Sequence, residues 1–293
     1  MGVKLGIVTP VLTRLPRAHA NWERDAGIAE VEQLVVEAEQ LGYEHVTCSE
    51  HVAIPTETAR VRGGTYWDPL ATFGYLAART TTIRFATFVL VLGYHHPLAI
   101  VKRYGTLDQV SSGRVILGVG VGSLAEEFEL LGASFDDRGD RADDAIRAVR
   151  ASFGREEPAY RGTYYSYEDF VVEPAGVQRL VPIWVGGRTA RSLRRAVELA
   201  DGWAPFGLSP DDVAAMLDRA RATPTWSARN AELEVILQPD PPLDPADDRE
   251  GALAAVAEMR EAGATQLNLR FVHHSVDHYC RQLEAMRALI DES

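Results

Sequence analysis

The chain has 293 residues, 46% hydrophobic and 25% charged. That balance is ordinary for a globular protein and argues against disorder, a collagen-like repeat or a membrane protein. Its 30 Lys and Arg stand against 42 Asp and Glu, a net charge of −12. No basic cluster interrupts the surplus, which excludes a nucleic-acid groove or an anionic membrane surface as partner. Cys48 and Cys280 lie far apart without a CxxC or Cys/His pattern, as expected for reduced thiols in a cytoplasmic protein. No signal peptide is visible, and the most apolar stretch, Phe85 to Leu92, is well short of the ~20 residues of a membrane span.

Short β-rich runs then alternate with longer helical ones. Strand Lys4–Val8 precedes a helix over Ile28–Leu41, where apolar residues recur at helical spacing until Gly42. Strand His45–Cys48 leads to a helix opened by Pro69 and running to Arg79. An apolar strand over Ile83–Leu92 is followed by a helix over Pro97–Val110. Arg114–Val119 reads as a strand and Arg141–Phe153 as a helix. The rhythm breaks over 154–181, a Tyr-, Glu-, Gly- and Pro-rich segment read as a hairpin and loop inserted in one domain spanning 1–293. It resumes with strand Pro182–Val185, helix Thr189–Ala200, strand Gly202–Ala204 and helix Pro210–Ala222. Strand Leu233–Leu237, helix Glu250–Ala262, strand Gln266–Phe271 and helix Ser275–Ile290 complete the series.

Eight βα units with helical crossovers require parallel strands. At this length they predict an α/β fold, a (β/α)8 TIM barrel with an insertion between the strand 4 and strand 5 units, ahead of an open doubly wound sheet. Chemistry in such barrels sits at the C-terminal ends of the strands.

Several strand ends carry reactive or ligand-binding residue types. Ser49-Glu50-His51 closes the second strand, and a His there can exchange protons near neutral pH. Adjacent strand residues face opposite ways, so Glu50 is read as an orienting or barrel-interior group and not the partner of His51, although both are counted as catalytic candidates. Gly118-Val119-Gly120-Val121-Gly122 follows the fourth strand but lacks the spacing and acid of a dinucleotide fingerprint, so Gly120 and Gly122 are read as a tight turn or a close ligand approach. Trp184-Val185-Gly186-Gly187-Arg188-Thr189 is a stronger anion signal. A strand there delivers two glycines to a helix start, where free N–H groups favour a phosphate, with Arg188, Thr189 and Arg191 as added donors. His95-His96 and His273-His274 lack metal-ligand spacing, and no G-x-S-x-G supports acyl transfer, so no metal and no hydrolase is expected. Tyr66, Trp67, Trp203 and Phe206 suit the walls of a site for a flat ring.

Taken together, Ser49-Glu50-His51, Trp67-Asp68-Pro69-Leu70, Ile83 to Leu90, Thr106-Leu107-Asp108, Ser112 to Gly120, Glu127-Phe128, Pro182 to Gly187 and Asp201-Gly202-Trp203 resemble the luciferase-like flavin-dependent superfamily, particularly its coenzyme F420-dependent oxidoreductases. Order and spacing hold from about residue 4 to residue 204. The resemblance implies a deazaflavin or flavin across the strand ends. By similarity, His51 is the proton donor or acceptor, Phe88-Val89 a cis-peptide bulge bracing the ring, and Gly186, Gly187, Arg188 and Thr189 the phosphate site. Gly120 and Gly122 then lie under the cofactor, while Trp67, Ser123 and Trp203 face substrate. Sugar-phosphate dehydrogenases of this family carry an acid where this chain has Ser123, which favours reduction of a C=C, C=O or C=N bond over alcohol oxidation.

The reading is an F420-dependent oxidoreductase acting on a small organic molecule, as a homodimer. Its rivals are a two-component FMN-dependent monooxygenase and a cofactor-binding barrel without turnover.

Overall fold

The computed structural model describes residues 3–16 and 19–292. Its centre is a ring of eight parallel strands: β1 (Lys4–Val8), β2 (His45–Cys48), β3 (Arg84–Thr87), β4 (Val115–Gly120), β5 (Ile183–Gly186), β6 (Gly202–Ala204), β7 (Glu234–Leu237) and β8 (Gln266–Leu269). Each pairs with its sequence neighbours. β1 pairs with β8, and β4 with β5, so the barrel is closed. Outside it run α1 (Ile28–Gln40), α2 (Pro69–Ala77), α3 (Pro97–Val110), α4 (Arg138–Ser152), α5 (Ala190–Leu199), α6 (Pro210–Arg221), α7 (Arg249–Glu261) and α8 (Val276–Glu292). Pro69, Pro97 and Pro210 open their helices where a missing N–H costs nothing, and Asp68, Thr189, Ser209 and Asp248 cap free N–H groups. The fold is the (β/α)8 barrel expected. Among the described residues, no helix is long and apolar enough to cross a membrane.

Alternation along the strands builds two cores. Outward residues such as Leu5, Ile7, Val46, Leu117 and Leu267 pack beneath the helices. Inward ones, Ala86, Ile116, Trp184, Ala204 and Ile236, fill the barrel. Two glycines make that filling possible. A Cβ on Gly6 would lie 2.1 Å from the His45 ring, and one on Gly202 would lie 2.5 Å from Trp184. The rings of His45 and Trp184 meet edge-on with centroids 5.0 Å apart. Arg114 closes the outer layer between α2 and β3, donating to the carbonyls of Ala77, Thr80, Ile83 and Ser111 at 2.7–3.1 Å.

Segment 154–181 contains the small hairpin of Tyr160–Arg161 and Ser166–Tyr167. Asp144 of α4 anchors it, accepting from Tyr160 OH and from the Tyr164 and Tyr165 N–H groups. The single strand expected over Ile83–Leu92 is interrupted. β3 ends at Thr87, the Phe88-Val89 peptide is cis, and Leu90–Val91 pairs again with Val119 and Gly120 before a 3-10 turn. Apolar composition alone carries no mark of that interruption, but the cis bond falls at Phe88-Val89, where the resemblance placed it. The short helices Thr56–Arg62 and Ala125–Leu130 were also not anticipated, being too brief to show a period.

His45 is fully buried, neither ring nitrogen has a partner, and burial followed by the charges of Arg84 and Lys4 lowers its pKa to about 3. The unfolded chain therefore takes up a proton near the ordinary value of 6.5 that the folded one refuses until about pH 3. Stability drawn from this residue is present above that window and falls as pH drops through it, by about 1.4 kcal/mol per unit. Urea melts between pH 7 and 4 should show a shallower loss for His45→Asn than for wild type; parallel losses would contradict this assignment.

Candidate active site

The mouth of the barrel is formed by the loops that follow the strands. His51 stands three residues beyond β2, one-fifth exposed, with its Nδ1 2.7 Å from Oε2 of Glu127. Glu127 sits on the short helix after β4, and its side chain is completely buried. It accepts three further hydrogen bonds from two loops: Val52 N–H at 2.7 Å, Ala53 N–H at 3.1 Å and Tyr94 OH at 2.6 Å join the imidazole. Burial raises the Glu127 pKa, but bonds from Tyr94, His51 and Ala53 outweigh it and hold the carboxyl below its usual value. Burial, then the bond to Glu127, pushes the Tyr94 hydroxyl well above the phenol range, so it remains a donor. A carboxylate only accepts, which makes His51 Nδ1 the protonated nitrogen and leaves Nε2 to exchange a proton. Tyr66 packs edge-on against the imidazole at 4.6 Å.

Glu50 is placed differently from the catalytic expectation. It is buried and turned away from His51, accepting from Val91 N–H at 2.8 Å and pairing with His95 Nε2 at 2.7 Å. Both residues lie beyond the end of β2, and Glu50 there braces the loop after β3. His51's partner is Glu127, 76 positions away in sequence. The doublet Glu126-Glu127 was the available signal: on a helix, one of two adjacent acids faces inward, and here it is the second.

Phe88 and Val89 occupy the centre of the mouth. Phe88 N–H donates to Cys48 O at 2.7 Å, and Ser49 Oγ donates to Phe88 O at 2.8 Å. Val89 projects between two glycines: a Cβ on Gly120 would lie 2.6 Å from its Cγ2, and one on Gly186 would lie 2.7 Å from its Cγ1. Only glycine at both positions leaves room for the branched side chain. Gly122 turns with φ +77° against Val91 and Phe128.

Gly187 leads into α5, capped by Thr189, whose hydroxyl accepts from Ser192 N–H at 3.2 Å. Ala190 and Arg191 begin the helix, where backbone N–H groups lack intrahelical acceptors. Arg188, Thr189 and Arg191 are exposed at this end, and Arg191 lies beside Gly139 at the start of α4. This donor set fits a phosphate. Trp203, expected to face substrate, is fully buried; its Nε1–H donates to Gly187 O at 3.1 Å and Ser192 Oγ at 3.3 Å. Its size and single donor suit it to buttress the glycine turn from beneath. Trp67 is half-buried, its carbonyl accepting from Cys48 Sγ, and Ser123 is exposed just beyond β4.

Across the mouth from β4 and β5, a cavity of about 160 Å³ opens between the ends of β1, β2, β7 and β8, with Phe88 on its wall. A second, of about 550 Å³, adjoins it beside β6 and β7. Gln238 and Arg270 border both.

A closed (β/α)8 barrel thus carries a buttressed glycine turn and a carboxylate-held His at its mouth. The family model described as luciferase-like monooxygenase matches residues 4–292, and the chain belongs to that family. It is similar to the uncharacterized protein Rv0940c of Mycobacterium tuberculosis (30% identity over 210 residues, 68% of this chain and 72% of that one). It also resembles the F420-dependent glucose-6-phosphate dehydrogenase of Microbacterium testaceum (32% over 170 residues, 57% of this chain and 49% of that one). The crystal structure of monooxygenase RslO1 from Streptomyces bottropensis superposes with a TM-score of 0.71 at 21% identity, covering 97% of this chain and 98% of that one.

The wedge of Val89 between two glycines makes a steric prediction. Gly186→Ala should destabilise the protein by about 1–3 kcal/mol through overpacking. Adding Val89→Ala should restore much of that loss in thermal melts; strictly additive losses would show that the two positions do not press on one another.

Proposed function

We propose that this protein is an F420-dependent oxidoreductase that reduces a C=C, C=O or C=N bond of a small organic substrate. The observation that carries the reading is the pairing of His51 with the buried Glu127 at the same mouth as the glycine turn of α5. When bound, the deazaflavin supplies two-electron hydride chemistry. Thr189, the N–H groups opening α5, and Arg188 and Arg191 would hold its phosphate, and Val89 would back its ring.

The remaining chemistry belongs to the chain. Reduction by hydride needs a proton as well, and His51 Nε2 delivers it while Glu127 keeps Nδ1–H fixed and compensates the charge on the imidazole. Tyr94 and the Val52 and Ala53 N–H groups prevent Glu127 from rotating away. Tyr66 limits the tilt of the ring. In the oxidative direction the same nitrogen would accept the proton. The similarity to an F420-dependent dehydrogenase supports this cofactor.

The second reading, a two-component FMN monooxygenase, draws on the likeness to RslO1, which bears on the fold. The same turn suits FMN phosphate. Reductase-dependent oxygen consumption with free FMN would favour it.

Anoxic oxidation of reduced F420 with a panel of enones, ketones and imines tests the proposal. His51→Ala should keep the fold and most cofactor binding while losing about 10²–10⁴-fold in turnover. Glu127→Gln should lose turnover in the same direction with cofactor affinity little changed. Full activity in His51→Ala would remove the imidazole from the mechanism.

A further inference from the structure

The cavity on the β8–β1 side of the mouth contains polar groups that the redox site does not use. Arg270 follows β8 and borders both mouth cavities. Its Nε is buried without a partner, while one terminal nitrogen donates to Asp240 at 2.7 Å. Thr9, which follows β1, is 2% exposed and its hydroxyl is likewise unpartnered. Buried donors without acceptors are costly, and both belong to residues of the cavity border, where an occupant bringing acceptors would relieve them. Gln238, on the border of both cavities, adds an amide.

The charges bordering the cavity decide what that occupant carries. Glu23 is engaged by the N–H groups of Val11 and Ala20 at 2.8 and 2.7 Å. His273 accepts from Trp22 Nε1, and burial first, then neighbouring histidines, lower its pKa to about 4, so it is neutral near pH 7. Arg270 is therefore the one permanent cation among the described residues that border the cavity. Its partner Asp240 has a side chain 80% exposed, and such a pair is weak enough to be exchanged. Phe88, Phe271, Pro10 and Leu15 supply apolar walls around this polar end.

We infer that this cavity binds the substrate through a carboxylate: Arg270 receives the anion, with Thr9 and Gln238 beside it, and an apolar body extends along Phe88 toward the centre of the mouth. The substrate class is a small carboxylic acid with an unsaturated or aromatic body. The inference rests on the redox reading for the word substrate, but its binding claim stands without cofactor.

Calorimetric titration of the cofactor-free protein with trans-cinnamate and its uncharged isostere trans-cinnamamide provides the test. Cinnamate should bind at least about tenfold more tightly, because a charge-assisted fork replaces a neutral contact. Arg270→Gln should abolish that preference while leaving cinnamamide binding, the melting temperature and F420 or FMN affinity unchanged. Asp240→Asn, which frees the guanidinium, should tighten cinnamate binding. Equal affinities in the wild type, no binding of either probe at millimolar concentration, or a preference surviving Arg270→Gln would overturn the proposal. Displacement of cinnamate by F420 or FMN would also overturn it, by assigning the cavity to the cofactor. Failure of either cofactor to bind would count against the redox reading and leave these outcomes readable.

Discussion

A carboxylate without contact with water must be matched by donors or it will not ionise, and Glu127 satisfies that requirement with groups from several loops. Its acceptors are filled by His51, Val52 and Ala53 from the loop after β2 and by Tyr94 from the loop after β3. The carboxylate itself stands on the helix after β4. One anion thus ties three successive strand ends together and fixes the imidazole's tautomer. Glu50 repeats the device one layer aside, joining the end of β2 to Val91 and His95. The mouth is ordered by two buried acids, one of which presents a proton-exchanging nitrogen.

Closure of the barrel then divides the mouth by function. β4 and β5 carry the glycines that admit Val89 and the turn that opens α5, while β8 and β1 lie opposite in the ring. The first half offers backbone N–H groups and arginines for a phosphate; the second offers a small cavity with an unengaged guanidinium nitrogen. Phe88 stands between them. Its neighbour Val89 is held by steric fit that depends on two missing methyl groups, at Gly120 and Gly186.

Much of this was legible in the sequence, for identifiable reasons. The eight βα units follow from periodicity and from prolines and caps at helix starts, and β2, β6 and α3 have the ranges expected. His51 and the Gly186-Gly187 turn were found because strand ends are where such folds place chemistry. The partner of His51 was not, because a contact across 76 positions leaves no local pattern. Trp203 was misassigned for a related reason: an aromatic at a strand end reads alike whether it walls a pocket or supports a turn, and only its burial and its bond to Gly187 O separate the two. The break at Phe88-Val89 lies inside a largely apolar run where composition gives no boundary; the resemblance, not the pattern, pointed to the cis bond found there.

The central claim is that this mouth holds a deazaflavin by the α5 turn and works on it through His51. Parallel fluorescence titrations of the purified protein with F420 and FMN test it most directly. The account predicts micromolar F420 affinity, far weaker FMN binding, and loss of F420 affinity when Arg188 and Arg191 are both replaced by Gln. Preference for FMN, or binding of neither cofactor, would contradict it.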